Sequence, residues 1–251
     1  MLQTILNKIK IVLVGTTHPG NIGAAARAMK TMGLTQLVLV SPKIFPDADA
    51  TARASGADDI LAAAIIHQTF SDAINDCHFV FGTSTRNRSI PWPLHTPAEA
   101  ADLTMGMIEN DSTIAIVFGR ESSGLANEEL ELCNAMIQIP TAADFSSLNI
   151  ASAVQIISYE MRKKAQEESP NAEVSAEKTP LATLDQIQQL YEHLQQCLID
   201  IGYFDPEKPR RLMRRLKRII NRSQFDANEY NIARGILTAA QEASKKNKDQ
   251  G

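Results

Sequence analysis

Cysteine is scarce in this chain: Cys77, Cys133 and Cys197 are its only three among 251 residues. An odd, scattered set of thiols excludes a disulfide framework and a paired-cysteine zinc site, leaving buried free thiols as the expectation. His18, His67, His78, His95 and His193 share no chelating spacing with the cysteines, so no metal is expected. Aromatic residues make up 5% of the chain, too few for a surface that binds bases mainly by stacking. No apolar run reaches the roughly 18 to 20 residues of a membrane span. Met1 to Lys10 also lack the charged start and apolar core of a secretory signal. A cytoplasmic protein without membrane contact is therefore expected.

What is present is ordinary globular composition, with 44% hydrophobic residues, 22% charged residues and a formal net charge of −4. The length suits one large domain, or a medium domain with a small appendage. From Lys8 to about Lys164, short apolar runs alternate with stretches of helical period. Ile11 to Gly15, Gln36 to Ser41, Phe79 to Gly82, Ile114 to Gly119 and Met136 to Pro140 read as strands. Their unbroken apolar character fits strands covered on both faces, and so a parallel sheet in an α/β domain. Asn21 to Met32, Gly56 to Ala64, Leu125 to Cys133 and Ser147 to Lys164 read as helices.

Composition then changes. Gln166 to Ala182 carries Pro170, Pro180 and four glutamates and reads as a flexible acidic linker. Three helices of a small all-helical C-terminal domain should follow. Leu184 to Ile201 has one apolar stripe, and Asp205-Pro206 predicts a helix start, the helix running to about Arg222. The third helix opens at Asp226, with Glu229 completing a capping pattern and Tyr230, Ala233, Ile236 and Leu237 buried. The expected organisation is a catalytic domain over 1–165, a linker over 166–182 and a helical extension over 183–251 that binds RNA or supports a dimer.

Three segments could carry chemistry. Thr16 to Arg27 links a strand to a helix through small residues; Asn21 could cap that helix, while Gly20 and Gly23 admit another backbone. It is neither a dinucleotide fingerprint nor a phosphate loop, and by itself it reads equally as a tight connection. Ile116 to Leu125 again runs from strand into a glycine-bracketed loop. There Gly119 offers bare backbone to a ligand, and Glu121 is either a general base or a capping loop glutamate. Ser146-Ser147-Leu148-Asn149 opens the long helix and places donors at its positive end, as plain capping would also do.

Taken together, Asn-Ile-Gly-Ala-Ala-Ala-Arg-Ala at 21–28, Val-Phe-Gly-Arg-Glu-Ser-Ser-Gly-Leu at 117–125 and Ser-Ser-Leu-Asn-Ile-Ala at 146–151 resemble the three successive motifs of the SPOUT-type RNA ribose 2'-O-methyltransferases. Ala28 to Leu34, Gly82-Thr83-Ser84, Pro91-Trp92-Pro93 and the helical extension are similar to the branch that acts on tRNA cytidine and uridine. The resemblance implies a parallel-sheet SPOUT fold with a C-terminal trefoil knot formed by about Ile114 to Lys164, and a homodimer. It implies S-adenosylmethionine as cofactor, held by Thr83, Ser84, Thr85, Gly119, Ile139, Ser146, Ser147 and Leu148. It makes Asn21, Arg27, Glu121, Ser147 and Asn149 the catalytic set, and tRNA the substrate, methylated at cytidine or uridine 32 of the anticodon loop. Ribosomal RNA is the alternative substrate, and a catalytically silent RNA-binding protein of the same fold the alternative function. His18 falls in a variable stretch of the family and takes no role.

The remaining signal is charge. Glu207 to Arg222 holds Lys208, Arg210, Arg211, Arg214, Arg215, Lys217, Arg218 and Arg222 against a single acid, beside the apolar stripe Leu212, Leu216 and Ile219 or Ile220. A solvated face or a membrane-surface helix would look alike. Beside these motifs, however, the cluster predicts phosphate-backbone binding, which Arg86 and Arg88 could continue.

Overall fold

The computed structural model describes residues 2–84, 92–168, 180–207 and 211–248. Thr85, Arg86, Arg88, Arg210 and most of the expected linker lie outside the described residues. The chain divides into two compact units, Met1–Lys178 and Thr179–Gly251.

The first unit runs α1 (Leu2–Leu6), β1 (Ile9–Val14), α2 (Pro19–Met32), β2 (Gln36–Val40), α3 (Ala48–Ala54), α4 (Asp58–Ala62) and β3 (Ile65–His67). It continues with α5 (Phe70–Ile74), β4 (Phe79–Thr83), β5 (Leu94–His95), α6 (Pro97–Ile108) and β6 (Ile114–Phe118). It ends with α7 (Asn127–Glu131), β7 (Ala135–Ile137) and α8 (Ile150–Glu168). The strands form one seven-stranded sheet in the order β3-β2-β1-β6-β4-β7-β5. Every pairing is parallel.

The continuous apolar runs mark the middle of this sheet. Ile11, Leu13, Ile114, Ile116 and Phe81 are fully buried, because helices cover both faces. The order reverses between β1 and β6: from β1 the chain crosses to β2 on one side, whereas from β6 it crosses to β7 on the other. Loops leaving the carboxyl ends of two such strands diverge and open a crevice for a ligand.

Several elements were not visible in the sequence. β3 and β5 have three and two residues, too few for periodicity to register, and α1, α3, α5 and α6 were not foreseen. The expected helix Gly56 to Ala64 contracts to α4, five residues long. Gly23 explains α3: a Cβ there would run into the Ala50 backbone carbonyl, so the glycine lets α2 and α3 pack backbone to backbone.

In the second unit, α9 (Leu184–Asp200), α10 (Leu212–Ser223) and α11 (Ala227–Lys248) enclose a small core. Ala182, Ile187, Leu190, Tyr191 and Tyr230 form it, with Ile220, Phe225, Ala233 and Leu237 packed against them. Thr183 caps α9 through a full capping box with Gln186. The helix expected from Asp205 begins only at Leu212, and Asp205 instead receives the Glu207 N–H in a local turn. A second correction concerns Ile236, expected in the core, which is 64% exposed; the α11 face toward α9 is carried by Tyr230, Ala233 and Leu237.

Candidate active site

A cavity of about 680 Å³ opens at the carboxyl edge of the sheet. Its wall includes Thr83 and Ser84 after β4, Phe118 to Leu125 after β6, Ile137 and Ile139 at β7, and Phe145 to Ile150 at the entrance to α8. His18, just before α2, and Asn21 in its first turn close it. Of the described residues named for cofactor binding, all seven line this one cavity: Thr83, Ser84, Gly119, Ile139, Ser146, Ser147 and Leu148. Asn21, Glu121 and Asn149 of the catalytic set do so too. Arg27 does not: it lies further along α2, exposed, and is absent from the cavity wall of its own chain.

Glu121 joins the three motifs. Its carboxylate accepts from the Thr17 N–H at 3.2 Å, the Thr17 hydroxyl at 3.0 Å, the His18 N–H at 3.4 Å and Asn21 Nδ2 at 3.0 Å. These donors surround the N-terminus of α2, whose N-cap residue His18 makes no side-chain capping bond. A loop glutamate about a hundred residues away in sequence therefore supplies the anionic cap, where the helix dipole favours negative charge. Asn21 was expected to cap α2 itself. It lies within the first turn instead, and its side chain turns outward to the network.

The network continues to α8. Asn149 Nδ2 donates to Asn21 Oδ1 at 3.0 Å, and Asn149 Oδ1 accepts the Ala151 N–H at 2.8 Å. Asn149 thus caps α8, as its position suggested, while holding Asn21. Each amide donates with its nitrogen and accepts with its oxygen, so both orientations are fixed by the chain.

Partial burial pushes the Glu121 carboxyl up. The bonds from Asn21, its own backbone and Thr17 outweigh this and hold it below the usual carboxylate range. A carboxylate so lowered and so fully engaged is a poor general base. Of the two readings of Glu121, the capping one fits this geometry.

The loop after β6 is closed from within. Arg120 exchanges backbone hydrogen bonds with Gly124, and its guanidinium grips Glu129 with two bonds of 3.0 and 2.9 Å. Glu129 also accepts the Ala126 N–H at 2.6 Å, tying the start of α7 to the same fork. A Cβ on Gly119 would strike the backbone of Gly124 and Leu125. The glycine expected to make room for a ligand is thus first required by the loop's own return.

Arg120 and Phe145 are wall residues that the sequence did not single out, and His18, which was given no role, also lines the cavity. Phe145, 78% exposed at the rim, had no periodic or capping signal. The Arg120 to Glu129 fork ties the β6 loop to the first turn of α7. Among the described residues no cluster of His, Cys, Asp or Glu could hold a metal ion. No described helix is long and apolar enough to cross a membrane.

On the basic helix, Arg211, Arg215 and Arg222 are exposed, whereas Arg214, Lys217 and Arg218 are half-buried. Lys217 lies over the Tyr191 ring at 5.2 Å, so part of its charge serves the helical core. Ile220 joins that core and Ile219 faces outward at 51% exposure.

This fold and site define an RNA-methylase class, and the sequence comparison agrees: residues 8–159 match the SpoU rRNA Methylase family, to which the chain belongs. Residues 185–250 match the C-terminal domain of the tRNA methyltransferase TrmJ. The chain is 50% identical over 248 residues to the Pseudomonas aeruginosa tRNA (cytidine/uridine/adenosine-2'-O-)-methyltransferase TrmJ, covering 96% of each. It is 42% identical over 245 residues to the Escherichia coli K12 tRNA (cytidine/uridine-2'-O-)-methyltransferase TrmJ, covering 97% of this chain and 99% of that protein. The crystal structure of TrmJ from Z. mobilis ZM4 superposes with a TM-score of 0.78 at 32% identity, covering 92% of this chain and 97% of that one.

Proposed function

We propose that the protein methylates a ribose 2'-hydroxyl of tRNA, using S-adenosylmethionine, in the cytoplasm. The observation that carries this reading is the gathering of all three sequence motifs around one cavity at the carboxyl edge of the sheet. The TrmJ-type C-terminal domain favours tRNA over ribosomal RNA, although the family of the first unit is named for ribosomal RNA.

The cavity suits the cofactor chemically. Leu125, Ile137, Ile139 and Leu148 offer apolar wall for an adenine ring, while Thr83, Ser84, Ser146 and Ser147 offer hydrogen-bonding partners for its polar ends. Bound there, the cofactor supplies an electrophilic sulfonium methyl, and the protein has to orient the ribose and manage one proton. Arg27 holds the adjoining phosphate and stabilises developing alkoxide charge, since a guanidinium is not readily deprotonated. The proton leaves through the Ser147 hydroxyl or water. Glu121, Asn21 and Asn149 keep α2, the β6 loop and α8 in register around that reaction.

The chain from about Ile114 to Lys164 forms the trefoil knot of the SPOUT fold. Because Arg27 is absent from its own cavity wall, a homodimer in which a second copy presents Arg27 to the cavity completes the site. On the second unit, Arg211, Arg214, Arg215, Lys217 and Arg218 bind the phosphate backbone, with Arg211 and Arg215 the most accessible. The linker expected over 166–182 is shorter at both ends, since Gln166 to Glu168 belong to α8 and Ala182 to the core of the second unit; the residues between them connect the catalytic and RNA-binding parts.

The test is mass spectrometry of ribose-methylated nucleosides after incubating the protein with S-adenosylmethionine and either tRNA or ribosomal RNA. Methylation of cytidine or uridine 32 in tRNA supports the reading in full. Methylation of ribosomal RNA alone replaces the substrate. Cofactor binding without transfer to either RNA replaces the enzyme with a silent binding protein.

A further inference from the structure

The rim of the cavity carries an aromatic ring that the core does not bury. Phe145 is 78% exposed, and among the described large apolar side chains none is more so. Its backbone is nevertheless held in place. The Phe145 N–H donates to the Ala142 carbonyl at 3.2 Å, and an antiparallel bridge joins the two residues in a tight turn. Further along, Asn149 is tied to Asn21 and to the first turn of α8. Between these anchors the chain runs from Phe145 straight into Ser146, Ser147 and Leu148, and all four line the cavity. A single apolar side chain scattered on a surface carries no meaning. One that is anchored on both sides at the mouth of a cavity is placed to meet whatever enters.

Charge narrows the partner. Residues 141–149 are exposed throughout, and Asp144 is their only ionisable side chain. An acid beside the ring repels phosphate, so this rim does not hold the RNA backbone. A phenyl ring has no hydrogen-bonding group, and its partner is therefore another apolar or π face.

The chemistry of a nucleotide supplies such a face. The base is bonded to the sugar carbon next to the one that bears the 2'-hydroxyl. A 2'-hydroxyl turned toward Ser147 therefore brings its own base to the mouth of the cavity, where Phe145 stands two residues before Ser147 in the chain. A base drawn out of its loop loses its stacking neighbours, and an aromatic side chain replaces them. Stacking reads the ring face and not the hydrogen-bonding edge. Cytidine and uridine differ at that edge and share the face, so one platform accepts both.

We infer that Phe145 is the stacking platform for the base of the nucleotide being methylated, and so positions its ribose. The inference rests on the tRNA methyltransferase reading and adds to it the side chain that orients the target nucleotide.

The test uses the full chain and tRNA carrying pyrrolocytidine, a cytidine analogue that fluoresces more brightly when unstacked, at position 32. S-adenosylhomocysteine replaces S-adenosylmethionine so that no transfer occurs during binding. At saturating protein, emission should be higher with Phe145→Leu, which keeps apolar bulk without a π face, than with wild type. Phe145→Tyr and Phe145→Trp should return it toward the wild-type level. In separate assays on unlabelled tRNA, kcat/KM should fall at least ~5-fold with Phe145→Leu and recover with Phe145→Tyr. S-adenosylmethionine affinity and melting temperature should not move, because the ring is exposed and outside the core. The inference needs both changes and their rescue: equal emission, equal kcat/KM or failure of the aromatic variants to restore either one overturns it. In each of those outcomes wild-type methylation of tRNA leaves the enzyme reading standing. A fall in S-adenosylmethionine affinity at unchanged emission assigns the ring to the cofactor and overturns it as well. A wild-type protein that does not methylate tRNA removes the enzyme reading and this inference with it.

Discussion

Asn21 Nδ2 lies 3.0 Å from Glu121 Oε1, joining the first turn of α2 to a loop from the far side of the β1/β6 switch point. Because Glu121 also caps the entrance to α2, this contact couples helix position to cavity shape. Glu121→Gln replaces an anionic acceptor by a neutral amide and should lower stability by about 1 kcal/mol, together with methyl transfer. The sign with pH follows from the lowered carboxyl. Its contribution is complete above the ordinary value of 4.5 and is lost as pH falls through the folded value. Melting curves of wild type and variant should therefore converge on acidification below about 4.5; a constant gap would show that the charge of Glu121 is not what stabilises.

Arg27→Ala should abolish methyl transfer and leave S-adenosylmethionine affinity nearly unchanged, since the residues expected to hold the cofactor come from the loops after β4, β6 and β7 and the entrance to α8, and Arg27 serves the phosphate and the ribose instead. Titration calorimetry of the folded variant checks the division between chemistry and cofactor binding. A large fall in affinity would place Arg27 at the cofactor.

At Gly119 the loop itself sets the outcome. Gly119→Ala should cost about 1–3 kcal/mol of stability through overpacking, and Gly119→Val more, with cofactor affinity falling in parallel. Loss of affinity at unchanged melting temperature would mean that the side chain obstructs the cofactor and not the return of the chain at Gly124.

Replacing Arg211 and Arg215 with Ala should weaken tRNA binding and reduce the log-log salt slope by roughly 0.7 to 0.9 for each phosphate that is no longer neutralised. Cofactor affinity should stay the same. A lowered melting temperature with the salt slope intact would make α10 a structural brace. Lys217→Ala should differ from both, because removing it from the Tyr191 ring costs stability as well as charge.

The parallel sheet and the cavity were legible because both depend on features that repeat or cluster in sequence. Buried strands such as β1 and β6 are unbroken apolar runs, and the three motifs each sit where such a run ends. What escaped was decided by partners distant in the chain. Asn21 looks like a cap until Glu121 arrives to do the capping, and α3 has no strong amphipathic pattern because its packing against Gly23 needs small residues, not large ones. Ile236 fits an apolar stripe at helical spacing, yet α11 has two stripes, and periodicity cannot say which of them α9 covers. Phe145 had no local reason to be noticed at all.

The sheet stops short at both borders. β3 and β5 are its outermost strands, with three residues and two; only the interior β7, also of three, is as short as β3. Ile65, Ile66 and Leu94 there are about half exposed, so the side chains alone would favour further strand addition. What prevents it is length: so few free N–H and C=O groups cannot template a stable ladder with a passing chain. Resistance to edge-to-edge aggregation in this protein is therefore set by where hydrogen bonding ends, and lengthening either border strand would erode it even if every side chain stayed the same.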